Sequence, residues 1–510
     1  MDPGGVNGNI FVNRADLRPG IGQALGIIDI AGDSSESGTF HSQLNASNVG
    51  GSYLGSDQLR VEGSVVLTDQ GVLRPDAIDG LTTDDVMVGH RFNIINAAGE
   101  ITGGWGEIID GNNTGLGGQT FGSQFFFDTA TGDLVAFGLS GDQTTSDFAN
   151  ITENKISILD AVVAGATDDP GNFNSVDAAE GILLNAILTN GAPGDVEARL
   201  DALEALSPEG YAGSIDYTLQ ATRSYSQLVK GATPQVTGSN YEIIAGYSNF
   251  GLASASSNDA RDYDLSSNGG YLGFKMNTKS DFSFGTFIGF DSGGVDARDL
   301  DLDVSGYVLG GYVEYVPRDG INRWSAWGNL TYGDYDFDGK RTGFLSELSV
   351  PTFSGSAFQI GTGVNYLAYE NEGLRLVPNA SLSFLSASTG GFAERGGADA
   401  LRVDGMDANS TLLEMALRLE YQQPEGKLSY LGALGWQHDF SETDRDVTAT
   451  VGNSKFNVTA PGLGDDALFI ALGAAYRLDD TYQLQLGYRA EFRSDADTLN
   501  GFNLGLNMKF

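Results

Sequence analysis

The sequence predicts a mainly-β protein: a twelve-stranded antiparallel outer-membrane β-barrel with an α-helix in its lumen, preceded by a short β-helix. Three observations predict the barrel. First, the chain ends on Gly501-Phe-Asn-Leu-Gly-Leu-Asn-Met-Lys-Phe510, where Phe502, Leu504, Leu506, Met508 and Phe510 alternate with small or polar residues. Period-two alternation marks a strand with one apolar and one wetted face, and a chain that stops on such a strand must pair it. Second, strand-length runs recur at 241–253, 267–277, 281–290, 302–316, 322–336, 353–369, 374–387, 409–422, 427–440, 466–478, 481–493 and 500–510. Their wetted faces carry charge at mid-strand, as with Glu414, Arg418 and Glu420 against Leu413, Met415, Leu417, Leu419 and Tyr421. A dry sandwich core rejects such charges, whereas a barrel with lipid outside and water inside accepts both faces. Third, tight connections (278–280, 317–320, 370–373, 424–426, 479–480) alternate with mostly long ones (254–266, 291–301, 337–352, 388–408, 441–465, with 494–499 short). Short periplasmic turns alternating with long external loops are a property of such barrels.

Composition narrows the function. The chain has 510 residues, a formal net charge of −39 and no cysteine. The acid excess repels phosphate and excludes nucleic-acid binding. The lack of cysteine excludes disulfides and thiolate metal sites, and suits export through an oxidising compartment. No apolar run reaches the length of a transmembrane helix, which says nothing against spanning strands. The opening Met1-Asp-Pro-Gly-Gly5 has no basic and apolar signal. The chain is therefore expected to be numbered after processing or to be part of something longer.

Taken in order, residues 1–150 are Gly, Asn, Asp and Ser-rich with short apolar bursts such as Gly26-Ile-Ile-Asp-Ile30 and Arg91-Phe-Asn-Ile-Ile95. Polar turns between short strands fit a solenoid end, with a small sandwich as the alternative. Residues 151–206 read as a helical linker, with helices at Val176–Leu188 and, capped by Asp195, at Val196–Leu206. Ser207-Pro208-Glu209 then starts a third helix with an N-cap serine, proline at its first position and an acid in its first turn. Within the segment 207–235 this helix runs to about Lys230 and carries Glu209, Asp216 and Arg223, which lipid would reject and a polar channel would accept. The barrel occupies 236–510.

In this order the chain resembles the type V autotransporters. Leu203-Glu-Ala-Leu-Ser-Pro-Glu-Gly-Tyr211 looks like the segment before their pore helix. Leu376-Val-Pro-Asn-Ala-Ser-Leu382 and Ala471-Leu-Gly-Ala-Ala-Tyr-Arg-Leu478 resemble their barrel strands. Met87-Val-Gly-His-Arg-Phe-Asn-Ile-Ile-Asn-Ala-Ala-Gly-Glu-Ile-Thr-Gly-Gly-Trp105 looks like the closing rungs of a passenger β-helix. The resemblance implies that a C-terminal barrel carries the N-terminal passenger to the surface of a Gram-negative cell and is then plugged by helix 207–230. It also implies insertion by the barrel-assembly machinery, which reads the terminal strand, in contact with outer-membrane lipid and lipopolysaccharide. Passenger self-association would be a further partnership. Many members cut the passenger inside the pore using an asparagine pair. Residues 196–230 contain no asparagine, so an intact connection is expected. The alternative is a porin-like or surface-coat barrel whose N-terminal region mediates assembly or adhesion.

No catalytic constellation is legible. His41, His90 and His438 share no triad or metal spacing, and no Gly-x-Ser-x-Gly elbow occurs. Asp334-Tyr-Asp336-Phe-Asp338-Gly339 is half of a Ca²⁺ loop, but Leu345 stands where the bidentate acid belongs. The reading therefore favours solvated rim acids over Ca²⁺, and expects no other cofactor. Arg418, Arg489, Glu491 and Arg493, with Lys275, Arg375, Arg477 and Lys509, are expected to line the lumen. Some of these cations would pair with Glu209 or Asp216 of the helix, against the alternative of pairing within the wall.

Overall fold

Twelve strands hydrogen-bond in chain order, and the last pairs with the first. They are β1 (Tyr241–Ala253), β2 (Tyr263–Asn277), β3 (Phe282–Ala297), β4 (Leu300–Tyr315), β5 (Trp324–Thr342), β6 (Glu347–Tyr366), β7 (Leu374–Thr389), β8 (Met406–Gln422), β9 (Leu428–Asp439), β10 (Asp466–Arg477), β11 (Tyr482–Arg493) and β12 (Thr498–Lys509). All neighbours are antiparallel, and β12 seals the ring against β1 in a register that sets Met508 beside Ile243 and Leu504 beside Tyr247. The computed structural model describes residues 10–19, 25–50, 53–68, 70–77, 91–103, 105, 107–108, 125–128, 133–136, 152–167, 183, 186–187, 190, 196–231, 241–253, 263–278, 280–317, 322–423, 426–460, 462–494 and 497–510.

The strands are longer than their alternation suggests. The connection expected at 291–301 is strand almost throughout, because β3 and β4 run on to a turn at Arg298 and Asp299. Likewise β5 and β6 consume most of 337–352 and pair across it with one register shift. The connections 388–408 and 441–465 are long, but they fold into a four-stranded sheet of Phe392–Ala393, Leu401–Val403, Arg445–Val451 and Ser454–Ala460.

The extra length changes what faces outward. On β5, Trp324, Leu330 and Tyr332 are exposed, and then Asp336 and Asp338 take the same face. On β4, Leu309 and Tyr307 give way to Asp303 and Asp301; on β3, Phe284 and Phe290 give way to Asp296. The eight steps from Trp324 to Tyr332 make about 26 Å of strand, or about 20 Å of height at the usual tilt, close to a lipid-facing band. The inward face switches in the opposite sense. Asn329, Thr331 and Gln359 line the lumen at band level, whereas Tyr335, Phe337, Leu302, Val304, Val350 and Phe353 are buried inside the outer section. The alternation predicts a wet lumen; its outer part is instead an apolar core.

Outside the barrel, the described part of residues 10–108 pairs mainly in parallel. Ile10–Asn13, Asp33–Glu36, Val65–Leu67 and Ile101–Gly103 form one stack, and Ile27–Ile30, Gln58–Val61 and Ile95–Ala97 a second. Thr39–Gly50, Val72–Ala77 and Glu107–Ile108 belong to a third, which antiparallel pairings extend. Their apolar faces meet in a core that includes Phe40, Leu59, Leu73, Phe92, Ile94 and Trp105. Helices follow at α1 (Glu153–Thr167) and α2 (Val196–Glu204), joined by a Lys155–Glu204 pair at 3.2 Å. The helix at Glu153–Thr167 falls in the expected helical linker of 151–206, ahead of the two helices placed there from sequence. The expected helix at Val176–Leu188, its neighbour's Asp195 cap and the residues Met87–His90 lie wholly or mainly outside the described residues.

Candidate functional site

The lumen of the barrel holds one helix, α3 (Ala212–Gly231). It is entered differently from expectation. Glu209–Tyr211 form a 3₁₀ turn, and Pro208 precedes it without a side-chain cap, so Ser207 does not cap α3. Extra backbone bonds of the 3₁₀ type tighten the helix start in place of a cap. Among the described residues no helix is long and apolar enough to cross a bilayer. The helix is nonetheless buried along nearly its whole described length, because the wall supplies the partners that lipid would not.

At its outer end two buried ion clusters hold the helix. Asp216 is fully buried and accepts from Arg445 Nε at 3.1 Å and Nη2 at 2.9 Å, and from the Tyr263 hydroxyl. Arg445 comes from the 441–465 connection, at the root of the hairpin. Tyr211 donates at 2.5 Å to Glu394, whose carboxylate is gripped at both oxygens by Arg341 at 2.6 and 2.8 Å. Bidentate guanidinium pairs of this kind are the strong members of their class. Burial, and then Glu394, hold the Tyr211 hydroxyl well above the usual tyrosine range. Phe392 from the outer sheet stacks on Phe353 at 4.3 Å and meets the Tyr211 ring edge-on at 4.9 Å.

Midway down, contacts change to hydroxyls and shape. Tyr217 donates at 2.5 Å to Asp291, which also accepts from Ser267 at 2.6 Å and from Tyr225 at 3.3 Å. Tyr225 reaches the Phe290 carbonyl at 2.9 Å. Thr222 meets the Tyr335 hydroxyl at 3.0 Å, and Asn329 donates to Ser226. Arg223 donates to Ser410 at 2.6 Å and lies 3.8 Å from Asp439. Away from Tyr217, Ile215 and Leu219 pack on Ala357, Leu385, Ala387 and Ala408.

Of the lumen cations predicted from sequence, Lys275, Arg375, Arg418, Arg489 and Arg493 pair within the wall. Lys275 bonds Glu314 at 2.7 Å, and Arg418 bonds Glu420 at 2.8 Å. Arg489 bonds Glu414 at 2.9 Å and Glu491 at 2.8 Å and lies 3.7 Å over the Phe469 ring, while Arg493 bonds Glu491 at 3.1 Å. The expected pairing of this set with Asp216 is thus corrected: a residue that sequence reasoning missed, Arg445, takes that acid. Glu209 is buried in the 3₁₀ turn. The only legible signal for Arg445 was a lone cation in the acidic run Asp439-Phe-Ser-Glu-Thr-Asp-Arg-Asp446. Of the closing strand, Phe502, Leu504, Leu506 and Phe510 are exposed on the lipid side and Met508 is half-buried there; the Phe510 amide bonds Tyr241 at 3.0 Å. Asp334, Asp336 and Asp338 sit at alternate positions of the extended β5, without the looped backbone a Ca²⁺ loop needs.

The barrel and its filled lumen match known proteins. A family model described as the autotransporter beta-domain matches residues 244–489. This region is an autotransporter β-domain. The barrel-and-helix fold is also that of the translocator domain of the autotransporter NalP from Neisseria meningitidis, with a TM-score of 0.50 at 16% identity, covering 60% of this chain and 100% of that one. An extracellular serine protease of Serratia marcescens is 26% identical over 265 residues, which are 50% of this chain and 25% of that protein. A second match to a protein of that description is 27% identical over 146 residues, 28% of this chain and 14% of the other. The chain thus spans a quarter or less of the length of these curated relatives. Their likeness falls on the autotransporter domain and bears on translocation alone. The autotransporter β-domain places this chain in the outer membrane of a Gram-negative bacterium.

Proposed function

We propose that this chain carries its own N-terminal region through the outer membrane, displays it at the cell surface, and keeps α3 as the stopper of the pore. One observation carries the reading. The lumen is filled by a helix from the chain's own linker, and the acid, the arginine and the tyrosines of that helix each bond to the wall or to the outer loops. A porin-like channel would keep that space for its solute. The stacked parallel strands within 10–108 suit a β-helical passenger remnant, whose contacts with copies of itself would be made outside the cell. The role is non-enzymatic and uses no cofactor, Ca²⁺ included. Partners in this reading are the lipid and lipopolysaccharide around the apolar band and the assembly machinery that reads the strand ending at Phe510.

Residues 196–230 contain no asparagine, and the reading therefore keeps passenger and barrel covalently joined. Antibodies against residues 10–108 should stain intact cells, and the purified chain should run at its encoded mass. Staining only after the outer membrane is permeabilised would overturn display. A homogeneous break between 196 and 231 would overturn the intact connection.

A further inference from the structure

The wall opposite α3 is notched for its side chains. Tyr217 and Tyr225 are eight residues apart, about two helical turns, and so lie on one face. Both reach Asp291 on β3. Gly289, two residues before that acid on the same inward face, leaves the space that Tyr225 fills. The three atoms nearest to a Cβ built there all belong to the Tyr225 ring, at 2.4–3.2 Å, so the helix tyrosine is the first obstacle that a side chain at 289 meets. Charge marks the same segment. Arg445 takes Asp216, the residue just before the first tyrosine, and Ser410 takes Arg223, two residues before the second.

We infer that the lumen is a sequence-specific receptor for one helical segment, and that this recognition selects which part of the chain comes to rest in the pore. The ligand is an α-helix bearing tyrosines at i and i+8, a carboxylate at i−1 and a guanidinium at i+6. Any other segment in transit leaves Arg445 without Asp216 and Asp291 without its tyrosine hydroxyls. Buried polar groups left unpaired in this way disfavour the mismatched occupant. The inference rests on the translocator reading above.

The test uses the full chain in cells. The protein has no native cysteine, so Ser226→Cys with Asn329→Cys reports docking, because those side chains meet when α3 is seated. Under mild oxidant the pair should cross-link. Gly289→Val, sterically acceptable in a strand, should cut the yield about tenfold by overpacking against Tyr225. Adding Tyr225→Ala should restore most of the yield, since it opens the space again. Heat-modifiable migration on gels reports a folded barrel in each variant. Full cross-linking of Gly289→Val would overturn the receptor. So would a folded double variant that stays uncross-linked. If Gly289→Val does not fold, Tyr225→Ala alone decides: a several-fold loss of yield supports the receptor, and an unchanged yield refutes it. A reporter chain that cross-links yet never shows residues 10–108 at the surface would defeat the translocator reading and leave the receptor standing.

Discussion

The barrel has two sections that obey the same alternation in opposite phase. In the membrane section the outward residues are apolar and the inward ones carry charge: Tyr332, Leu309 and Phe290 outside, Lys275, Glu314 and Glu414 inside. In the outer section the outward residues are Asp296, Asp301, Asp303, Asp336 and Asp338, and the inward ones are Val295, Leu302, Val304, Phe337 and Phe353. The first is a wall between lipid and water, as in membrane barrels. The second behaves as a water-soluble barrel, with α3 and Phe392 completing its core. The level at which the faces exchange character locates the outer surface of the bilayer. It also shows why the helix is gripped by buried ion pairs above that level, while the wall below makes its own pairs.

The largest expected effect lies in the outer section. Arg445→Met strands Asp216 as a buried carboxylate with only Tyr263 for a donor. Breaking a buried pair from one side costs about 3–5 kcal/mol, so the cross-link between helix and wall should fall sharply and the heat-induced shift on gels should come at lower temperature. Asp216→Asn in the same chain should recover part of the loss by removing the stranded charge. The next effect compares the two outward faces. Leu417→Arg places a charge in the lipid band and should destabilise by about 2–4 kcal/mol. Asp303→Arg, on the outer section's wetted face, should stay within about 0.5 kcal/mol. Urea titration of the folded barrel in lipid measures both. Equal costs would erase the boundary drawn between the sections.

The alternation, the number of strands and the existence of the helix were legible because they depend on neighbours in sequence. Phase was not. Asp301-Leu-Asp303-Val reads as two faces, but which face meets water outside and which meets a core inside depends on what fills the lumen. That filling is α3, which stands tens of residues away in the chain. The hairpin of 445–460 has a local signal: Val447, Ala449 and Val451 alternate up to Gly452, whose φ of 56° suits glycine, and Phe456, Val458 and Ala460 alternate back. The pairing of Arg445 with Asp216 spans more than two hundred residues, and no local rule reports it. Within the wall, Arg418 and Arg489 each pair with an acid two residues on along the same inward strand face, Glu420 and Glu491, which is why those residues could be placed in the lumen from alternation.

Alkali separates the sections next. The Tyr211 hydroxyl is raised well above its ordinary value of 10.0 in the folded chain, by burial first and Glu394 second. A tyrosine whose folded value exceeds its unfolded one contributes fully below about pH 10, and its contribution is lost as pH climbs toward the folded value. The outer grip on the helix should therefore weaken above about pH 10. Tyr211→Phe loses the hydrogen bond to Glu394 but should flatten that decline; a slope identical to wild type would detach Tyr211 from it.

The smallest effect belongs to the membrane section and is the most discriminating. Lys275 and Glu314 form a pair at 2.7 Å, shorter than the 2.9 Å between Arg445 and Asp216. Distance alone would rank Lys275→Met beside Arg445→Met. The difference lies in what the orphaned acid meets. Glu314 retains 18% exposure, whereas Asp216 has none. Water in the lumen can solvate Glu314 once its partner is gone, and a pair open to solvent is worth about 1 kcal/mol or less. Lys275→Met should therefore cost several-fold less than Arg445→Met in the same urea titration, and added salt should narrow the effect further. If the two variants prove equally damaging, the lumen at band level is as dry as the outer core, and the exchange of phase stops at the barrel's outer surface.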